Sequence, residues 1–193
     1  MQTKSALSVL AIMLLTCAIA MIARGDEPFF DGVWWRSIDH YQRLGYVDGY
    51  IDCYEYIKRG LESFAGTSPE SLEDGITAYY ERSPKENRKP VTEVLRSLGL
   101  SKTSEPNPPT FGLLDGEYWR QGGPLFRVGF IQGYFACLGS APKLRARFPK
   151  PTEWYVQQIS EWYGVKDNDP AAIELKKTRK PIAQVLFMFA SKR

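Results

Sequence analysis

Apolar positions in this chain fall mostly at helical spacing. Leu44, Val47, Ile51 and Tyr54 recur every three or four residues, which places them on one face of a helix. That helix is predicted over Ile38 to Arg59, with Ser37 as N-cap and Asp39 in the first turn. Gly45, Gly49 and Cys53 form a second stripe at four-residue spacing. After a loop over Gly60–Ser68, Ser68-Pro69 opens the next helix, with Glu70 in its first turn. Leu72, Ile76 and Tyr79 or Tyr80 supply its inner face, and Pro84 ends it. Pro90 opens a third helix with Val91, Val94, Leu95 and Leu98 facing inward, and Gly99 as its stop. Asp31–Arg36, ahead of all three, reads as a short aromatic lead-in. No segment alternates as a strand would.

The same pattern then returns. Asp31–Cys53 and Asp115–Cys137 align without a gap, and nine of the 23 positions are identical. The shared residues are Asp31/Asp115, Gly32/Gly116, Trp35/Trp119, Arg36/Arg120, Arg43/Arg127, Gly45/Gly129, Gly49/Gly133, Tyr50/Tyr134 and Cys53/Cys137. RKPVTEVL at Arg88–Leu95 returns as RKPIAQVL at Arg179–Leu186 after an insertion. In the second copy the glycine helix is predicted over Leu125–Leu138, a Pro-rich crossing over Ala141–Pro151, and further helices over Glu153–Tyr163 and Pro181–Ala190. Asp169-Pro170 marks an extra helical turn inside the insertion. The fold class is therefore mainly α: two tandem helical repeats of about three helices each, packed as a pseudo-twofold dimer. Repeat 1 covers 30–99, a Pro-rich linker 100–113, and repeat 2 114–193. Glycine inside a helix costs about 1 kcal/mol against Ala. Gly45, Gly49, Gly129 and Gly133 are thus read as scaffold positions where another backbone or ring packs directly on the helix.

Charge and cysteine usage add a location. Residues 1–23 begin with Lys4 and run apolar through Ser5–Ala23, with small residues at Ala18, Ala20 and Ala23. This is an export signal, either a cleaved signal peptide or a retained N-terminal anchor. The chain beyond it is expected in the periplasm or cell envelope, and it meets a membrane only through that segment if the segment is kept. Cys17 lies within the signal, which leaves Cys53 and Cys137 at equivalent positions and favours a disulfide in an oxidising compartment. The net charge of +3 hides an asymmetry. Residues 31–98 hold nine Lys/Arg against twelve Asp/Glu, and residues 111–193 hold thirteen against seven. The basic stretch Lys143–Lys150, with Arg145 and Arg147, dominates the second half and is either a solvated loop or a contact for an anionic partner.

Catalytic patterns are sparse. His40 is the one histidine, and Pro124 is its repeat equivalent. No His/Cys metal cluster, phosphate-binding glycine loop or nucleophile elbow occurs in the sequence, and no cofactor or nucleic-acid partner is implied. Asp48 and Asp52 sit one turn apart and suit acid/base work or an exposed polar face; the second reading is preferred, since their counterparts are Gln132 and Ala136. The Asp and Arg residues kept twice suggest an Asp–Arg pair that pins each aromatic lead-in to its helix. Trp34, Trp35, Arg36, Tyr118, Trp119 and Arg120 are the candidate binding residues, because Trp, Tyr and Arg anchor protein interfaces and aromatic rings also stack on sugars.

The segment GYVDGYIDC, then ITAYYERSP, then RKPVTEVLRSL resembles the Rap/Tai family of small exported immunity proteins. The resemblance rests on Gly45, Tyr46 and Gly49 and on Tyr80, Pro84, Pro90 and Leu95, within the first copy. It implies a helical, dimer-forming periplasmic protein that neutralises a type VI secretion amidase. This chain departs from the family in being duplicated and in its cysteine placement. The expected function is an exported, non-enzymatic binding protein, immunity-like, whose partner is another protein such as a cell-wall-degrading effector. A glycan- or peptidoglycan-binding envelope module is the alternative, and a hydrolase built on Asp48 and Asp52 ranks third.

Overall fold

The computed structural model describes residues 30–58, 62–64, 67–102, 114–165 and 179–191. Within them the protein is mainly helical. The first half holds α1 (Gly32–Ser37), α2 (His40–Lys58), α3 (Pro69–Arg82) and α4 (Val91–Gly99). The second holds α5 (Gly116–Gln121), α6 (Gly123–Leu138), α7 (Pro142–Arg145), α8 (Thr152–Tyr163) and α9 (Ile182–Met188). A two-residue antiparallel ladder joins β1 (Glu62–Ser63) to β2 (Ser101–Lys102), so the first loop and the start of the linker pair where neither was expected to. The signal segment, Asp169-Pro170 and most of the linker lie outside the described residues. No helix among the described residues is long and apolar enough to cross a membrane.

Local chemistry explains most element ends. The lead-ins are helices, each capped by the aspartate kept in both copies. Asp31 Oδ1 accepts the Val33 and Trp34 N–H groups at 2.9 and 3.0 Å, and Asp115 Oδ1 accepts those of Glu117 and Tyr118 at 3.0 and 3.3 Å. Ser37 is not the cap of α2: its hydroxyl turns back onto the Trp34 carbonyl, and Asp39 Oδ1 takes the Tyr41 N–H at 2.8 Å instead. Ser68 caps α3 as expected, accepting from Ser71 N. Leu98, expected inside, is 45% exposed. It lies beside the buried residues Val91, Val94, Leu95 and Gly99 with its tip toward Gly75 of α3.

The core is organised around α2 and α6, which lie side by side and run in the same direction. Their contacts are reciprocal. A Cβ built on Gly45 or Gly49 would meet the backbone of Phe126 and Phe130 inside 3.0 Å; one built on Gly129 or Gly133 would meet that of Gln42 and Tyr46. Under the 84-residue offset, Phe126 and Phe130 are the equivalents of Gln42 and Tyr46. Each helix thus lays its glycine stripe on the other's carbonyls, a spacing at which Cα–H groups serve as weak donors. One turn further on, the stripe ends in the disulfide Cys53–Cys137, with 6.1 Å between Cα atoms.

The outer elements are tied on by hydrogen bonds made once in each half. The Trp35 indole donates to Thr77 Oγ1 and that of Trp119 to Ser160 Oγ, both at 3.0 Å. The Tyr80 hydroxyl donates to the Lys89 carbonyl at 2.8 Å and that of Tyr163 to the Lys180 carbonyl at 2.6 Å. Val91 N–H reaches the Phe30 carbonyl and Ile182 N–H the Leu114 carbonyl, at 2.8 and 2.9 Å. The RKP segment therefore closes each half by clasping both α3 or α8 and the residue before the capping aspartate.

Candidate functional site

The aromatic residues expected to make a contact patch are mostly inside. Trp35 and Trp119 are fully buried, each with its indole N–H satisfied within its own half. They are core residues, which corrects their reading as binding anchors. Trp34 is half-buried against Phe30 and Tyr46, with ring centroids 4.5 and 5.2 Å away. Arg36 is exposed, and Arg120 is half-buried in an ion pair with Glu117. The basic loop folds back on its own core. Arg145 lies 4.4 Å over the Phe135 ring and donates to the Phe148 carbonyl at 2.6 Å. Arg147 lies 5.9 Å over the Phe187 ring and donates to the Ser191 carbonyl at 3.4 Å. Among the expected binding residues, Arg36 is the one left mainly to solvent.

Arg43 and Arg127, kept in both copies of the glycine helix, take partners other than the capping aspartates in the contacts described next. Arg127 is buried and donates to the Trp119 and Arg120 carbonyls at 2.9 and 3.1 Å, so it clamps the end of α5 to α6. Arg43 lies 5.9 Å over the Trp35 ring and pairs with Glu73 at 2.9 Å. Asp31 is joined at 3.1 Å by Arg88, the arginine of the repeated RKP segment, so a twice-kept Asp–Arg pair does form there.

Asp48 and Asp52 were expected on an exposed face, and the structure corrects this. Asp48 is 4% exposed, and its Oδ2 accepts the Tyr118 hydroxyl at 2.5 Å. Tyr118 comes from the second half, so this bond crosses between repeats. Asp52 is part-buried as a residue, but its Oδ2 is out of reach of solvent and has no hydrogen-bond partner among the described residues. Burial pushes Asp48 up to about 7, with the Tyr118 bond opposing and Glu70 adding to the rise. Burial likewise pushes Asp52 up to about 7, aided by Glu55 and Asp48. The neighbouring Tyr134, fully packed, has its hydroxyl pushed well above its ordinary value by burial and then by Asp52. These are carboxyl groups that keep their proton far above the ordinary carboxylate range, in a helix interface.

The sequence pointed to neither Glu73 nor the network it centres. Glu73 is 3% exposed on α3. Its Oε1 faces Arg43 Nε at 2.9 Å and accepts from Thr77 Oγ1 at 3.4 Å; its Oε2 faces His40 Nδ1 at 3.3 Å. The lone histidine is thus a partner of a structural carboxylate, with its ring half open to solvent. Aligning α3 with α8 on Tyr80 and Tyr163 gives the equivalents in the second half: Pro124 for His40, Arg127 for Arg43, Val156 for Glu73 and Ser160 for Thr77. All four line one open cavity of about 310 Å³, completed by Val128, Glu153, Gln157, Glu161 and Val165. The position that is a carboxylate in repeat 1, Glu73, is a valine in repeat 2, Val156. The available signal was the pairing itself, an acidic residue in one copy opposite a valine in the other.

No family model, curated protein or solved structure matches this chain. Its chemistry is read from its own geometry. No group of three or more His, Cys, Asp or Glu among the described residues is placed to hold a metal ion. Cys53, as a disulfide partner, offers no thiol nucleophile. A second concavity, about 320 Å³, opens at the starts of α2 and α6 and is lined by Tyr41 and Gln121–Phe126. There Tyr41 and Leu125, equivalent positions of the two halves, are 61% and 47% exposed.

Proposed function

We propose that this is an exported, non-enzymatic binding protein in which the two repeats form a covalently fused pseudo-dimer, with another protein as its partner. The observation that carries this reading is how the twice-kept residues are used. Both tryptophans, all four helix glycines, both cysteines, both capping aspartates and Arg127 are spent on packing or on closing the structure. That is the economy of a scaffold, and it leaves recognition to surface that differs between halves. Disulfide formation agrees with an oxidising compartment, in keeping with the signal-like start of the chain. The resemblance to immunity proteins makes a cell-wall-degrading enzyme the partner class to try first.

The glycan-binding alternative needed Trp35 and Trp119 as an open platform, and both are in the core. The hydrolase alternative needed Asp48 and Asp52 to meet a substrate, and both lie in the contact between halves. The concavity around Tyr41 and Leu125 is the surface to test. Affinity purification from envelope extract is expected to recover one protein in stoichiometric amount with the wild type. A Tyr41→Asp/Leu125→Asp variant with an unchanged melting temperature is expected to lose it. Failure to recover any stoichiometric protein, or recovery indifferent to the double variant, argues against the reading.

A further inference from the structure

We propose that the basic loop after α6 is a second contact surface, and that it docks an acidic segment of a protein partner. The two halves share the loop's anchor and not its charge. Phe148, fully buried, is the equivalent of Phe64, which is 2% exposed. Around Phe64 the sequence GLESFAGT holds one Glu and no Lys or Arg. Around Phe148 the equivalent LRARFPKP holds Arg145, Arg147 and Lys150, with Lys143 just ahead. Packing of the phenylalanine thus accounts for the loop's course and not for its charges. Lys143 and Lys150 are exposed, and neither they nor Arg147 forms an ion pair among the described residues.

The loop is also held in place. Phe148 packs on Phe135, Tyr155 and Phe187, with ring centroids 5.5, 5.7 and 5.3 Å away. Arg147 is fixed over Phe187 and by its bond to the Ser191 carbonyl. Charges anchored in this way lose little freedom when a partner binds. Beside them lies surface of the kind protein contacts use. Tyr56, 39% exposed, sits 5.3 Å from the Phe187 ring, and Met188, 52% exposed, has Lys180 Nζ 3.3 Å from its sulfur. A lipid surface asks only for positive charge. Fixed cations beside a tyrosine and a methionine fit carboxylate side chains set next to an apolar one, and so favour a protein. The class of partner rests on the protein-binding reading above; the surface does not. The loop follows the end of α6, a helix of 16 residues and about 24 Å, whereas the concavity at Tyr41 and Leu125 lies at its start. Loss at one surface therefore leaves the other measurable.

The test follows the fluorescence anisotropy of a short labelled peptide of glutamate and leucine as the protein is added, with a glutamine and leucine peptide of equal length as the neutral control. The acidic peptide is expected to bind, and to bind more weakly as salt rises from about 0.1 to about 1 M and the Debye length falls from about 10 to about 3 Å. Lys143→Glu/Lys150→Glu is expected to weaken it at least about tenfold, a difference of about 1.4 kcal/mol. Met188→Ser is expected to weaken it without changing its salt dependence. Arg82→Glu/Lys85→Glu makes the same change in net charge on exposed residues of the first half, and is expected to leave the affinity within about twofold. Lys143→Gln/Lys150→Gln serves the same end if the charge reversal lowers the melting temperature. No binding of the acidic peptide, equal binding of the neutral one, or equal loss in both charge-reversal pairs overturns the proposal. So does tighter binding, through the same two lysines, to phosphatidylglycerol vesicles than to the peptide. Purification from envelope extract tests the partner reading separately, through Tyr41 and Leu125.

Discussion

Protonated, Asp48 accepts the Tyr118 hydroxyl and carries no charge into the helix interface; ionised, it places a negative charge where 4% of the residue meets water. The same holds for Asp52, whose nearest charged influences are the carboxylates Glu55 and Asp48. Both groups hold a proton up to about 7 in the folded state, against an ordinary value of 3.8. The folded chain therefore binds more protons than the unfolded chain across that interval, and its stability falls as pH rises through it. The contribution is complete below the unfolded value, is lost as pH approaches 7, and is flat above. Denaturant unfolding is expected to show a higher midpoint at pH 5 than at pH 8, and Asp48→Asn with Asp52→Asn to flatten the difference. A midpoint that rises from pH 5 to pH 8 counts against this account. Tryptophan burial gives a second expectation: Trp35→Ala or Trp119→Ala costs about 3–5 kcal/mol in unfolding experiments, the usual range for emptying a large aromatic site. The sequence concealed these facts for a simple reason. A carboxylate or a tryptophan has no periodicity of its own, and only Ala136, opposite Asp52, hinted that the position avoids water.

Helix by helix, the sequence was more readable, because spacing is a property of the element. The face of α3, that of α4 apart from Leu98, the Ser68 cap and the glycine stripe followed from residue pattern alone. The six-residue helices α1 and α5 were missed because they are too short to show a period, and their Asp caps were read as ion-pair partners. The glycine stripe makes a paired prediction possible. Gly49→Ala places a methyl against the Phe130 backbone, which cannot step aside, so the helices must separate. That change is expected to cost more than about 3 kcal/mol, the upper end of ordinary overpacking. Gly75→Ala, inside α3, meets only the Leu98 side-chain tip at 3.2 Å, and Leu98 is 45% exposed and able to turn away. It is expected to stabilise by up to about 1 kcal/mol through helix propensity. Thermal melts of the two variants settle both signs. Equal effects would mean that close backbone approach is not what Gly49 provides.

Taken whole, the molecule depends on the contact between its halves, since each presents its glycine face, Cys and core aromatics to the other. The mainly helical architecture was legible from the repeat. The parallel course of α2 and α6 was not, because a repeat states that two units are alike without stating how they meet. Removing the disulfide by Cys53→Ala/Cys137→Ala is expected to cost about 4–5 kcal/mol, the chain-entropy value for a bridge that closes so long a loop. A cost under about 1 kcal/mol, measured by urea unfolding, would show that the glycine contact alone fixes the halves. The bridge also changes what a protease can do. A cut at any peptide bond between residue 102 and residue 114 falls inside the loop that Cys53 and Cys137 close. The severed product remains one molecule, two polypeptides joined through sulfur, and separates only under reducing electrophoresis.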